Sequence, residues 1–492
     1  MSEASDHHPR TRSRGSVLFA AAAIGWIIAG IMPLTSSAFW PVSAGDMVWH
    51  QHAVTFAADP ISPLRIAGHT WVVQPWISAI MWLGAWRVGG MALLSAIGMA
   101  VSAGIVVQMV RLARAHARTG AACSAAAIAL ILMMPLTLRA ELLAIALALT
   151  LRIELESERR WLWSAPALII MWTNVHGSFP IAIGMCGAAT LGMIRGARIA
   201  RVAWGRRMLW LLACGCATIV SPLGIGTWSY VHRVSSVPAI AELTPLWQSM
   251  RLMSVDGVVL LVCTLVIGSA AIRRLITGRW HMSAVKDSLP AVPVLVLAGA
   301  SWMVQRNIVW FAVIMAPELA RVLSHRHPVH VSRFERLPGG VGVILLGALA
   351  CGCVAMLPWL PVQHRFAGRS LPPDGALHQV SASDTVYASA EWANYIRLIR
   401  GARVVMDARL ERFTPADLHA YEQSVRDGVC SPRTPCANGW TIAVLRTGSA
   451  ARLVQRFKQG GCMVERVGSG SAQAAIIRPG TCANVSGNEG SP

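Results

Sequence analysis

Hydrophobic runs long enough to cross a bilayer recur along most of the chain. A transmembrane helix needs about 20 predominantly apolar residues, so the pattern predicts a polytopic α-helical membrane protein. We place about eleven spans, at residues 16–38, 89–110, 120–137, 140–152, 161–173, 178–194, 208–221, 257–272, 288–304, 307–323 and 340–358. The further apolar stretch 76–86 carries tryptophans and is predicted to lie in the membrane interface, because counting it as a crossing would exchange the sides of all later connections.

The connections between these runs alternate in character. One set carries clusters of arginines: Arg10/Arg12/Arg14, Arg111/Arg114/Arg118, Arg159/Arg160, Arg198/Arg201/Arg206/Arg207, Arg273/Arg274/Arg279 and Arg326/Arg333/Arg336. The other set carries most of the reactive polar side chains: Asp46, His50, Asp59, Arg139, Glu141, Asn174, His176, Trp247, Arg306 and Asn307. Positive residues stay on the cytoplasmic side of a membrane, so the second set is predicted to face outward. Residues 1–15 are then a cytoplasmic segment that leads into an uncleaved signal anchor, and the carboxyl terminus lies outside.

Composition supports the membrane class and argues against nucleic acid. The 492 residues are 54% hydrophobic and only 13% charged, which is too apolar for a soluble protein of this length. The net charge of +20 comes from bases in short loops beside the predicted spans, where membrane topology explains them. We therefore expect membrane lipids, and not nucleic acid, as partners.

The composition changes after residue 358. Two proline-containing segments, at 359–361 and 372–373, form a predicted linker. Beyond them, short apolar runs predict strands at 386–389, 402–407, 441–445 and 474–479, with amphipathic helices at 391–400, 415–426 and 449–458. This alternation predicts a small extracytoplasmic α/β domain over residues 359–480, after the transmembrane region 16–358. The polar segment 481–492 is predicted to be a disordered tail.

Four of the 11 cysteines lie in this carboxyl-terminal region and are disulfide candidates: Cys430, Cys436, Cys462 and Cys482. An oxidising compartment outside the membrane permits two disulfides, which we place as Cys430–Cys436 and Cys462–Cys482. Neither CxxC nor a Cys/His zinc spacing occurs there, so metal binding is the weaker interpretation.

The long outward loop 39–74 opens with the sequence GDMVWH at 45–50. Asp46 lies just beyond the first span, at the level of a lipid headgroup, where a carboxylate can accept a proton from an attacking hydroxyl. Alternatively, Asp46 caps a short interfacial helix, and both interpretations stay open. Asp59 precedes Pro60 and has the pattern of a turn residue.

Two further sets of polar residues are candidates for a site. The segment WTNVHGSF at 172–179 places Asn174 and His176 at the depth of the membrane, where polar side chains usually mark a functional site. The alternative is a polar helical hairpin in which the histidine hydrogen-bonds a neighbouring residue. Arg306 interrupts an apolar stretch, and its planar guanidinium can form two parallel hydrogen bonds with a phosphate. The alternative is that Arg306 anchors its helix at the membrane interface.

The other basic and acidic candidates have competing explanations. Arg139 and Glu141 are both predicted outside and can pair with each other, which makes Arg139 a poorer phosphate ligand than Arg306. Asp407 and Arg409 directly follow a predicted strand, so they either line a crevice or form a structural ion-pair network.

In this order, the motifs resemble a family of bacterial multi-spanning proteins with a fold like that of the GT-C glycosyltransferases. The matching residues are Gly45, Asp46 and His50; Asp59, Pro60 and Ser62; Trp71 and Trp76; Trp172, Asn174, His176 and Gly177; Pro222 and Gly224; and Arg306 with Asn307. The chain departs from the family at Trp392-Ala-Asn-Tyr395 and at Asp407-Ala-Arg409, where relatives tend to have glycines.

The resemblance implies a GT-C-like fold and an inverting glycosyltransferase that takes a sugar from a polyprenyl-phosphate-linked donor. It implies Asp46 as the catalytic base, at the outer face of a bacterial inner membrane. With it we assign His50 and His176 to catalysis, and Arg306, Asn307 and Arg139 to the donor phosphate. The remaining predicted substrate-binding residues are Asp59, Trp71, Trp76, Asn174, Asp407 and Arg409.

The use of a divalent metal stays open, because some relatives need one and others do not. Two other functions also stay open. One is a polysaccharide polymerase or ligase. The other is a non-enzymatic transporter or assembly component of cell-envelope glycan export.

Overall fold

The structure is a computed structural model. It describes residues 18–19, 21–23, 25, 36–57, 59, 61–63, 70–117, 119–133, 140–156, 163–194, 201–236, 245–277, 291–324, 371–407, 409, 413–428, 440–469 and 473–479. The predicted span 340–358 and the tail 481–492 lie outside the described residues, as does most of the span 16–38.

The amino-terminal two thirds of the described chain is helical. Its helices are α1 Ser36–Gln51, α2 Trp76–His116, α3 Thr119–Met133, α4 Ala140–Glu156, α5 Ser164–Val175, α6 Pro180–Ile194, α7 Arg201–Ala217, α8 Gly226–Ser236, α9 Val255–Thr277, α10 Ala291–Met303 and α11 Ile308–Leu323. Short 3-10 turns lie at Pro245–Trp247 and Gln305–Asn307, and the two-residue strands β1 Thr55–Phe56 and β2 Trp71–Val72 pair antiparallel.

Two of the described helices, α2 and α9, are long and apolar enough to cross a membrane by length and composition, and shorter apolar helices accompany them. The predicted count of eleven spans stays a prediction. Helix α11 packs in the middle of the helical region, because its residues from Ile308 to Ala320 are buried on every face. A helix that is apolar all round is typical of the centre of a bundle.

Helix α1 corrects one expectation. The sequence predicts an outward loop from residue 39, but the helix runs on to Gln51 and contains Asp46 within it, so Asp46 does not cap a helix. Apolar residues including Phe39 and Val42 bury one side of α1. Gly45 permits a close approach to α2, because a Cβ atom there would lie 2.2 Å from the carbonyl oxygen of Ala79.

Helix α2 changes direction where the sequence separates an interfacial segment from a span. Gly89 and Gly90 have non-helical backbone angles, and Gly90 has a φ of +55°, which only glycine adopts readily. The predicted division between 76–86 and 89–110 therefore falls on this kink. The interfacial position of the first segment stays a prediction.

The carboxyl-terminal described region forms a five-stranded mixed sheet with helices. Its elements are α12 Asp374–His378, β3 Thr385–Ala388, α13 Ala390–Arg400, β4 Arg403–Val404, α14 Pro415–Asp427, β5 Ile442–Arg446, α15 Ala451–Gln459, β6 Val464–Val467 and β7 Ala474–Ile477. The strand order is β4-β3-β5-β7-β6, parallel from β4 to β5 and antiparallel from β5 to β6. The four predicted strands and three predicted helices correspond to elements of this region, although β4 is short. That the region is a separate extracytoplasmic domain stays a prediction.

The sheet packs directly against the helical region. The backbone N–H of Val404 donates to the carbonyl oxygen of Ile61 at 2.9 Å, and the Ser62 hydroxyl donates to the carbonyl of Val405 at 2.7 Å. On the other side of this junction, α13 packs on α1, where the rings of Tyr395 and Phe39 lie 4.9 Å apart. The loop after α1 is thus held by the edge of the sheet.

Candidate functional site

A cavity of about 510 Å³ lies among the helices, at the ends of several of them. Its lining comes from α1, the segment before α2, the start of α4, the turn between α5 and α6, helix α8, and the two 3-10 turns. The side chains that carry chemistry are Glu141, His176, Trp247, Arg306, Asn307 and Trp310. The volume lies within the range of about 300–1,000 Å³ that is usual for small-molecule sites.

Arg306 lies at the centre of the polar part of this cavity. Its Nη2 atom lies 3.3 Å from Nε2 of His176, and its Nε atom lies 3.7 Å from Oε1 of Glu141. The guanidinium also lies over the ring of Trp247, 5.1 Å from the ring centroid. Stacking on an aromatic face fixes the plane of the guanidinium and leaves its edges to donate.

Both ring nitrogens of His176 have neighbours. Nε2 faces Arg306, and Nδ1 lies 2.8 Å from the Ser178 hydroxyl oxygen and accepts from the backbone N–H of Ser178 at 3.2 Å. The Ser178 hydroxyl also accepts from the indole N–H of Trp172 at 3.0 Å. The orientation of the imidazole is therefore fixed at both nitrogens.

Two predicted substrate-binding residues hold the cavity wall together. The indole N–H of Trp76 donates to Oδ1 of Asn174 at 2.8 Å, and Nδ2 of Asn174 donates to the carbonyl oxygens of Ile170 and Val220, at 2.8 Å each. Asn174 is buried, so its amide is used within the protein. These bonds match the alternative of an internally bonded polar segment, and the contact of both residues with substrate stays a prediction.

The segment before α2 is tied to the same wall. Gln74, which lines the cavity, donates from Nε2 to the carbonyl oxygen of Thr173 at 2.5 Å, and the Ser78 hydroxyl lies 3.1 Å from the carbonyl of Val175. These bonds place the turn that carries His176 relative to α2. Neither Gln74 nor Ser78 was singled out from the sequence, because their role depends on a contact across about a hundred residues.

Asn307 lines the cavity beside Arg306, but its amide already has a structural partner. Its Nδ2 atom donates to the carbonyl oxygen of Ala300 at 3.0 Å, which ties the 3-10 turn to the end of α10. Arg306 is therefore the better phosphate candidate of this pair. The third predicted phosphate ligand, Arg139, lies outside the described residues.

Asp46 is in a different environment and is absent from the residues that line the cavity. Its Oδ1 atom lies 3.0 Å from Nη2 of Arg87 and 3.3 Å from Nδ1 of His50, and its side chain is 40% exposed. The His50 ring also contacts the backbone carbonyl oxygen of Asp46 at 2.8 Å. Arg87 in turn lies over the ring of Trp49, at 5.6 Å.

Arg397 of α13 also lies near Asp46. Burial lowers the pKa of Arg397, while the charges of Asp46 and Asp59 partly offset that effect. Asp46 thus lies at the junction of α1, α2 and α13. The structure brings His176 and Arg306 together and places Asp46 and His50 elsewhere, and the roles assigned to these residues stay predictions.

The other predicted substrate-binding residues form a buried ionic cluster at the edge of the sheet. Nη2 of Arg409 lies 2.6 Å from Oδ2 of Asp407 and 2.8 Å from Oδ2 of Asp59, and the guanidinium lies 4.6 Å from the centre of the Trp71 ring. Burial lowers the pKa of Arg409, but the two carboxylates outweigh it and the net shift is upward. All four side chains are buried and join the first loop to the sheet, which matches the alternative of a structural ion-pair network. Their contact with substrate stays a prediction.

Two further observations concern the remaining candidates. Cys462 is disulfide-bonded, whereas Cys430, Cys436 and Cys482 lie outside the described residues, so the predicted pairing stays a prediction. Within the part of the chain that the structure describes, no group of three or more His, Cys, Asp or Glu side chains is arranged to hold a metal ion.

Among known proteins, the chain is similar to solved structures. No protein-family model matches the chain, and no curated protein matches it. Two crystal structures of ArnT from Cupriavidus metallidurans, one bound to undecaprenyl phosphate and one in the apo state, are similar to it. Each has 12% sequence identity and a TM-score of 0.48, over 97% of this chain and 99% and 100% of the two ArnT chains, respectively. A similarity at this level assigns neither an activity nor a residue role to this chain.

Proposed function

We propose that the chain is a membrane glycosyltransferase that takes its sugar from a polyprenyl-phosphate-linked donor at the outer face of a bacterial inner membrane. The observation that carries this proposal is the position of Arg306. It lies in a cavity of about 510 Å³ whose other walls include apolar side chains such as Ile181, Val231 and Val234. One fixed cation beside an apolar wall suits a ligand with one anionic group and a hydrocarbon chain.

The proposed reaction requires stabilisation of the negative charge that develops on the donor phosphate. An acceptor hydroxyl attacks the anomeric carbon with inversion, and the bond from that carbon to the phosphate oxygen breaks with its electron pair. The polyprenyl phosphate that leaves therefore gains negative charge during the step. Arg306 stabilises this charge through charge-assisted hydrogen bonds that are already oriented, because Trp247 and His176 hold the guanidinium.

The acceptor hydroxyl also needs a base to take its proton. The family resemblance implies Asp46, which in this structure is paired with Arg87 and lies outside the cavity lining. Asp46 lies five residues beyond Pro41 on α1, and Pro41 does line the cavity. Five residues of helix advance about 7.5 Å along the axis. Arg306 can bind the donor phosphate whichever carboxylate accepts the proton of the acceptor hydroxyl.

Replacement of Arg306 by lysine tests the proposal. Arg306→Lys keeps the charge but removes the planar fork, so transfer from the lipid-linked donor is expected to fall by about 10- to 100-fold, the value of one or two charge-assisted hydrogen bonds. The matched control is Arg251→Lys, at an exposed arginine near the same 3-10 turns. The readout is complementation of a deletion strain, with lipid-linked sugars measured by mass spectrometry.

Accumulation of a lipid-linked sugar in the deletion strain and in the Arg306→Lys strain, but not in the Arg251→Lys strain, is the expected result. A deletion strain whose lipid-linked sugars are unchanged would contradict the proposal. Loss of a glycan with unchanged single-sugar lipid carriers, and with accumulation of a lipid-linked oligosaccharide, would indicate a polymerase or ligase instead.

A further inference from the structure

The cavity contains a carboxylate that donor-phosphate binding does not explain. Glu141 lies in the first turn of α4, lines the cavity, and has a side chain that is only 3% exposed. Its Oε1 atom lies 3.7 Å from Nε of Arg306. A negative charge beside a phosphate site opposes phosphate binding, and a buried carboxylate is costly unless it has a partner.

Arg306 presents different nitrogen atoms to its two neighbours. Nε faces Glu141, and Nη2 faces His176. A phosphate that binds the edge formed by the two Nη atoms therefore approaches a different edge of the guanidinium from the one that faces Glu141. Inverting glycosyl transfer needs the base and the leaving group on opposite faces of the sugar, and a sugar held between Glu141 and that phosphate would meet this condition. In inverting glycosidases, the two catalytic groups are about 6.5–9.5 Å apart for the same reason.

Asp46 does not meet these conditions in the structure. It is on a different part of α1 from the cavity-lining Trp40 and Pro41, and it does not line the cavity itself. Among the described residues that line the cavity, Glu141 is the carboxylate.

We propose that Glu141 is the general base of the transfer, which rests on the function proposed above. The Glu141 carboxylate takes the proton of the acceptor hydroxyl while the hydroxyl oxygen bonds to the anomeric carbon. The bond between that carbon and the phosphate oxygen breaks, and its electron pair leaves with the polyprenyl phosphate on Arg306. Glu141 then releases the proton to water. Arg306 thus contacts the base in this structure and would contact the leaving group in the complex with the donor.

The simpler alternative is that Glu141 only holds Arg306 in position, and the two roles give different results on substitution. Glu141→Gln keeps the size and can still accept a hydrogen bond, but it cannot take a proton. If Glu141 is the base, turnover should fall by about 10²- to 10⁴-fold, the usual contribution of a positioned base. Binding of polyprenyl monophosphate should be unchanged or tighter, because the variant removes a negative charge beside the anion.

The experiment uses full-length protein in detergent and membranes of a deletion strain, which retain the unused donor and acceptor. Three variants are compared: Glu141→Gln, Glu141→Asp, and the control Glu154→Gln on the same helix. Glu141→Asp keeps a carboxylate and should keep more turnover than Glu141→Gln. Wild-type turnover should fall at acidic pH as the base becomes protonated, and Glu141→Gln should lose that dependence. Glu154→Gln should remain within about threefold of wild type.

Two outcomes would overturn the assignment. One is turnover by Glu141→Gln within about threefold of wild type, above all if Asp46→Asn collapses instead. The other is a loss of polyprenyl monophosphate binding in Glu141→Gln that matches its loss of turnover and is restored in Glu141→Asp, which indicates a positioning role. Failure of the wild-type protein to consume a lipid-linked sugar would refute the proposed function itself, so the two failures are distinguishable.

Discussion

Replacement of Arg409 by methionine should open the contact between the first loop and the carboxyl-terminal sheet. Arg409 contacts Asp407 through Nε, at 3.0 and 2.8 Å, and through Nη2, at 2.6 Å. It contacts Asp59 at 2.8 Å and is fully buried. Methionine fills much of the same volume but leaves two buried carboxylates without their cation.

The magnitude follows from that imbalance. Removal of one partner from a buried ion pair usually costs about 3–5 kcal/mol, because a buried charge is left uncompensated. The variant loses the cation that serves both carboxylates, so its loss should lie in the same range. A cost of this size raises the population of the opened sheet contact by about 10²- to 10⁴-fold, at about 1.4 kcal/mol for each factor of ten.

Native-state proteolysis measures this population. Cleavage within the loop or the sheet should be faster in Arg409→Met by about the same factor, provided that opening and closing are fast relative to cleavage. The control is Arg426→Met, at an arginine on α14 whose side chain is 62% exposed, and it should be cleaved at the wild-type rate. The triple variant Arg409→Met/Asp59→Asn/Asp407→Asn should recover much of the loss, since it removes the uncompensated charges. Wild-type cleavage rates in Arg409→Met would refute the argument.

Two further predictions concern other parts of the chain. Burial raises the pKa of Glu156, just beyond the predicted span 140–152, but Arg152 and His116 outweigh it, so the net shift is below the ordinary 4.5. Glu156 should therefore stabilise the fold above about pH 4.5 and lose that contribution as the pH falls, and unfolding followed from pH 7 to 3 should show a weaker pH dependence in Glu156→Gln; an unchanged dependence would contradict this assignment. Non-reducing peptide mapping should find Cys462 linked to Cys482, with a loss of about 2–4 kcal/mol on Cys462→Ser; a link from Cys462 to any other cysteine would contradict the pairing.

Patterns confined to one element predicted the structure well. The buried strands β3, β5 and β7 are short runs of apolar residues, and such a run predicts a buried strand without knowledge of the segments that pack against it. The kink in α2 follows from two adjacent glycines, whose backbone freedom is a local property. The exception is β6, Val464–Val467, where exposed Glu465 and Arg466 remove the apolar run because it is an edge strand of the sheet.

Contacts between distant segments were predicted only in part. The pairing of His176 with Arg306 agrees with the site expected from sequence, because both residues are polar interruptions at the same side of predicted spans. The partner of Glu141 was not foreseen, since its neighbour Arg139 is closer in sequence than Arg306. Asp59 and Arg409 looked like site residues for a similar reason. A polar motif has the same sequence pattern whether its partner is a substrate or another buried side chain.

Direct binding of polyprenyl monophosphate to the purified protein tests the central claim that Arg306 is the donor-phosphate site. Uncharged polyprenol of the same chain length is the comparator, because it shares the hydrocarbon chain but lacks the anion. Wild type and Arg251→Gln should prefer the phosphate by about 10- to 100-fold, the value of charge-assisted hydrogen bonds to one arginine, and Arg306→Gln should lose that preference while it still binds polyprenol. An Arg306→Gln variant that keeps the full preference for the phosphate would contradict the account.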